Sequence, residues 1–83
     1  MKLFKLIEAI RFDLKKDCVK AIEDYRSSNI KSRIVEYRIG QNYSLLKNWK
    51  LALLHFKRSE ELGLNSPILF YKIGKCLENL KEK

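Results

Sequence analysis

The sequence predicts an all-α fold of five antiparallel helices, and three observations carry that prediction. Apolar residues recur at three- and four-residue intervals along most of the 83-residue chain, the period of helices with one buried face. Capping and helix-ending residues interrupt this pattern every dozen residues or so. One Pro and three Gly supply too little turn chemistry for a fold of many short strands. An apolar content of 46% and a charged content of 34% suit a folded chain rather than a disordered one. The length suits one small domain with a modest core.

The first helix is predicted over 2–14, with Leu3, Phe4, Leu6, Ile7, Ile10 and Leu14 near one face. "KKDC" then breaks the pattern, and Asp17 can cap the next helix by accepting a backbone N–H. That second helix runs to Ser28 and carries Val19, Ala21, Ile22 and Tyr25. After "SSNIKS" a third helix, from Ser32 to Leu46, carries Ile34, Val35, Ile39 and Tyr43. Asn48 caps a fourth over 49–62, with Leu51, Ala52, Leu54, Phe56 and Leu62. Gly63 stands where a left-handed residue ends a helix, and Leu64 closes the apolar contact beside it. Ser66 is a natural N-cap, and Pro67 takes the first helical position, where its missing N–H costs nothing. The fifth helix runs from 67 to 81. Turns of a few residues make consecutive helices antiparallel neighbours.

Two glycines sit inside helices, where each costs about 1 kcal/mol relative to Ala. Their surroundings repeat: "YRIGQNYSLL" at 37–46 and "YKIGKCLENL" at 71–80 align at a spacing of 34 residues. Ile39, Gly40, Tyr43, Ala52 and Phe56, followed by Phe70, Ile73 and Gly74, keep the intervals of a helix–turn–helix repeat of that period. Over residues 33–80 the chain resembles the tetratricopeptide repeat family. The resemblance implies a short α-solenoid of about two and a half units in one domain, 1–83. Within it 1–30 is a divergent first hairpin, 31–64 the best-matching repeat and 65–83 a terminal helix. It also implies that Gly40 lets the helix bearing Ala52 approach closely, with Tyr43 and Phe56 filling the space beside it. Gly74 is expected to serve the same purpose against the preceding helix. Glu36 departs from the pattern at an aromatic position, as does Leu77 at a Tyr position, and Pro67 falls three residues late. In the first hairpin Ala21 and Tyr25 precede Ala52 and Phe56 by 31 residues, with Ala9 and Phe12 in the Gly and Tyr roles.

A net charge of +8 favours nucleic acid, an acidic protein or an anionic membrane surface as partner. The basic residues are scattered, with no run of five like charges, which reads as a solvated helical surface. Cys18 and Cys76 fit no metal-ligand or redox spacing and read as reduced, small apolar residues, pointing to the cytoplasm. His55 stands alone, and no residue set matches a nucleophile with its base, a phosphate loop or a metal site. The expectation is therefore no enzyme activity, no catalytic residue, no metal and no cofactor. Lys5, Glu8 and Arg11 interrupt any signal-peptide core, and no stretch reaches transmembrane length.

What remains is binding. The resemblance implies a non-catalytic scaffold or adaptor that holds another protein or a peptide on the surface of its first-in-pair helices. The candidate contacts there are Tyr37, Arg38, Gln41, Ser44, Tyr71, Lys72, Lys75 and Glu78. The family's carboxylate clamp is not matched, since Leu6 and Ile10 occupy the positions for its Lys and Asn. Residues 48–80 are also similar in style to repeat segments beside bacterial surface-polysaccharide glycosyltransferases, which implies an accessory role as an alternative. A nucleic-acid partner is disfavoured for want of an aromatic-basic motif. Membrane attachment through "KLFKLIEAIRFDLKK" is a further alternative. Leu69, Tyr71 and Cys76 add apolar surface beyond the seam of the last helix, which suggests a homodimer or a missing neighbour in a longer solenoid. Lys-, Ile- and Asn-rich usage hints at a bacterial source.

Overall fold

A computed structural model describes residues 2–81; residues 1, 82 and 83 of the expected domain lie outside the described residues. Five helices follow in order: α1 (Lys2–Leu14), α2 (Cys18–Ser28), α3 (Arg33–Leu45), α4 (Trp49–Glu61) and α5 (Pro67–Lys81). The expected boundaries hold to within one residue. Ser32 proves to be the cap of α3 rather than its first residue, its Oγ accepting from Ile34 N–H at 3.1 Å. Asp17 and Asn48 cap α2 and α4, accepting from Lys20 N–H and Leu51 N–H respectively. Each such cap is worth about 1 kcal/mol.

The turns α1–α2 and α3–α4 are built alike. Lys16 and Lys47 adopt the left-handed conformation, with φ of 64° and 61°. In each turn the next residue's N–H reaches back to an aromatic carbonyl, Asp17 to Phe12 and Asn48 to Tyr43, both at 2.9 Å. This is the double hydrogen-bond closure that satisfies the last carbonyls of a helix. Gly63, with φ of 107°, ends α4 in the same way, and Leu64 N–H bonds Ser59 C=O at 3.0 Å. The short turns fold α1 on α2 and α3 on α4 as hairpins, while α3 also packs on α2 and α5 on α4. The result is an elongated stack, 39 × 25 × 16 Å.

Two apolar clusters hold the stack. The first gathers Ala9, Ala21, Ile22, Tyr25, Val35 and Ile39, and the second Ala52, Phe56, Leu69, Ile73 and Cys76. Equivalent positions of the two hairpins do equivalent work: Ala9 and Gly40, Ala21 and Ala52, and Tyr25 and Phe56 are all buried. Gly40 is needed for the close approach of α4, but the group it admits is the Phe56 ring. A methyl at Gly40 would stand 2.8 Å from Phe56 Cδ1 and 2.9 Å from Cε1.

Four expectations are corrected. Leu69 and Cys76, expected as apolar surface beyond the seam of the last helix, are buried in the core against α4, because they share its inner face with Ile73. Gly74 does not pack against α4, and a methyl there would meet nothing within 4 Å. The reason is rotational: α5 turns Leu69, Ile73 and Cys76 to α4 and leaves the Gly74 face open. Phe70, expected as a structural repeat residue, lies on that open face, 44% exposed. On α1 only Leu6, Ala9 and Phe12 join the core. Leu3, Phe4, Ile7, Ile10 and Leu14 are exposed, because these apolar residues span a wider arc than one neighbouring helix can cover.

Candidate functional site

A broad, mostly apolar concavity lies between α1 and α3. Leu6 and Ile10 of α1 form one wall, Ile34, Val35 and Arg38 of α3 the other, and Tyr25, Ile30 and Ser32 close the base. Its volume is about 420 Å³. The walls stand where they do because α1 and α3 are each the first helix of a hairpin and α2 spaces them apart. The exposed Ile7 and Leu3 sit one and two turns from Ile10 on α1, so apolar surface continues from the groove along that helix.

A polar network ties this region together. Tyr25 Oη donates to Asp13 Oδ2 at 2.7 Å, and Arg38 Nε donates to the same oxygen at 2.8 Å. One carboxylate thereby links α1, α2 and α3. Burial, followed by the Asp13 hydrogen bond and charge, pushes the Tyr25 hydroxyl up to about 12. Burial works against the Arg38 charge, but Asp13 outweighs it and the guanidinium's pKa is raised. Asp13 is buried, and both partners satisfy its carboxyl with hydrogen bonds.

A second polar contact bridges α3 and α4. His55 is buried, its Nδ1 lies 2.7 Å from Glu36 Oε1, and its ring stacks on Tyr43 at 5.5 Å. Glu36, the departure from the aromatic pattern, is thus matched by a histidine on the facing helix. Ser59 Oγ donates to Arg33 C=O at 2.7 Å and fixes the far end of the same helix pair. Among the described residues the hydrogen bonds of the His55–Glu36 contact join only these two side chains. Among the described residues no group of three or more His, Cys, Asp or Glu side chains could hold a metal ion, and no helix is long and apolar enough to cross a membrane. Burial raises the pKa of both Cys18 and Cys76, which keeps the thiols protonated and weakly nucleophilic.

The candidate contact residues read from sequence do not gather in one place. Ser44, Tyr71, Lys72 and Lys75 meet at a crevice of about 120 Å³ beside Trp49, Phe56 and Cys76, the size of one side chain rather than a peptide. Within it Ser44 Oγ already donates to Gln41 C=O, and Lys75 Nζ to Glu78 Oε1. Tyr37 is half-buried against Phe56, with ring centroids 5.7 Å apart, so much of its area serves the core. Gln41 is half-buried on α3. Arg38 reaches the apolar groove but is committed to Asp13. Leu6, Ile10, Ile30 and Ile34, which form most of the groove, were not among the contacts expected from sequence. The available signal was the excess of apolar residues on the first helix over what a single core face needs.

The chain matches no protein-family model, no curated protein and no solved structure.

Proposed function

We propose that the chain is a tetratricopeptide-like helical adaptor whose α1–α3 groove holds an apolar segment of another protein. The observation that carries this reading is the groove itself: aliphatic walls on two helices, with a fixed guanidinium at one edge. A mostly aliphatic concavity of about 420 Å³ lies within the size range of clefts that hold ligands. Arg38 is held in place by Asp13, so binding would require little ordering of the receptor side. The fitting ligand is an amphipathic helix or extended peptide with bulky aliphatic residues and acidic flanks. The acidic flanks answer the +8 charge of the chain and would speed encounter. The turn and core equivalences of the two hairpins support the repeat reading.

The test is selection of displayed peptides on the immobilised full chain, followed by direct titration of purified winners against Ile10→Glu and Ile34→Glu. Both substituted positions are exposed, so the variants keep the fold. Enrichment of apolar–acidic peptides that lose at least about tenfold in affinity for either variant supports the groove. Winners that bind wild type and variants equally would refute it.

A further inference from the structure

We infer that the open face of α5 is a self-association surface, on which two copies of the chain pack their α5 helices antiparallel about a two-fold axis. The inference is independent of the α1–α3 groove. It starts from a comparison inside the molecule. Glu36, Gly40 and Tyr43 of α3 form the face that receives α4, and Gly40 is the hole into which the Phe56 ring fits. The positions 34 residues later, Phe70, Gly74 and Leu77, form the same face of α5. There, Phe70 and Leu77 are 44% and 49% exposed, and the space a methyl at Gly74 would enter is empty. The face therefore has the shape that accepts an aromatic ring and a helix behind it, and the polar groups of the α3 version have become apolar.

The occupant follows from what this face itself supplies. In the α3–α4 contact the glycine stands on one helix and the aromatic ring on the other. On α5 both stand on one face, one helical turn apart. A two-fold axis level with Lys72 would set Phe70 of each copy over Gly74 of the other, with Leu77 opposite Pro67. An isologous interface requires this reciprocity, in which one patch carries both the projection and its recess. Tyr71, 64% exposed, flanks the axis and adds contact area from each copy. Lys72 lies on the opposite side of the helix, half-buried toward the crevice beside Ser44, so no lysine pair meets at the centre. The contact rests on a few side chains of one helix, and two +8 chains repel one another. The dimer is accordingly weak and tightens with salt, because screening removes the repulsion while the apolar contact remains.

Sedimentation equilibrium of the full chain tests this, up to about 1 mM at low and high salt. The comparison set is wild type, Gly74→Gln, Phe70→Ala and, as a control on the other apolar face, Ile7→Ser. Gly74→Gln places a good helix former where space is open, so its urea midpoint should not fall below that of wild type. Wild type and Ile7→Ser should show a monomer–dimer equilibrium that strengthens with salt. Gly74→Gln and Phe70→Ala should weaken it at least about tenfold. A chain that stays monomeric throughout overturns the inference, as does a dimer indifferent to Gly74→Gln. A dimer lost only in Ile7→Ser also overturns it, by moving the contact to α1.

Discussion

Gly40 and Gly74 occupy equivalent positions in two helices, yet Ala should stabilise the chain at Gly74 and not at Gly40. Alanine is favoured over glycine by about 1 kcal/mol in a helix interior, and both sites gain that amount. At Gly74 nothing opposes it, since the new methyl meets open space. At Gly40 the methyl lands 2.8, 2.9 and 3.1 Å from three atoms of the Phe56 ring. Carbon–carbon contacts are comfortable at roughly 3.5–4.0 Å, so the ring must retreat by most of an ångström. Phe56 is fully buried and backed by Tyr37, and overpacking of this kind costs about 1–3 kcal/mol. Gly74→Ala should therefore gain about 1 kcal/mol, and Gly40→Ala should fall about 1–3 kcal/mol below it. Urea unfolding followed by far-ultraviolet circular dichroism, at chain concentrations low enough to be monomeric, reads the difference directly. Adding Phe56→Leu should abolish most of the Gly40→Ala penalty in a double-mutant cycle. Equal stabilisation by both alanines would refute the close-approach argument, as would a Gly40→Ala penalty that persists unchanged beside Phe56→Leu.

Other substitutions probe the remaining contacts. Tyr25 holds its proton more tightly when folded, up to about 12, so its contribution is complete below its unfolded value near 10 and is lost as pH rises between the two. That contribution is at most about 3 kcal/mol, and Tyr25→Phe should flatten the alkaline fall of the urea midpoint relative to wild type. Arg38→Met strands the buried Asp13 carboxylate and should cost about 2 kcal/mol, since the guanidinium is itself partly solvated. Adding Asp13→Asn should recover a good part of that loss in the same assay. Lys16→Gly and Lys47→Gly relieve left-handed backbone and should each raise the thermal midpoint, by about 1 kcal/mol of stability.

The five helices were legible because their signals are local. Asp17, Asn48, Gly63 and Pro67 are each read against the residues a turn away, and the structure uses all four where expected. Contacts that join distant segments left no such trace. Nothing in the spacing of Asp13, Tyr25 and Arg38 says that one carboxylate serves both partners, so Arg38 reads as a surface contact. Glu36 looks like a flaw in a pattern until His55 is found facing it. Gly74 misleads for a subtler reason: it does share its helical face with Gly40, but the face that packs in α3 is the one left open in α5. The groove was hidden by an assumption about α1, that its apolar residues all serve the core.

Tyr43 is half-buried against both apolar clusters. In a linear stack, cooperativity passes only between neighbours, so the chain unfolds as one unit only if the interface terms between hairpins match the stability within them. That linkage runs through Val35 and Ile39 of α3, packed with Ala21, Ile22 and Tyr25 of the first hairpin, and is reinforced by Tyr43 and the Asp13–Arg38 pair. Weakening them together would turn a single transition into two, with 2–28 opening ahead of 33–81. Amide hydrogen exchange would register this as a protection step at the α2–α3 connector. The groove lies across this seam, with Leu6 and Ile10 on one hairpin and Ile34 and Val35 on the other, so a segment bound there as proposed would clamp the two hairpins together and delay the first of the two openings.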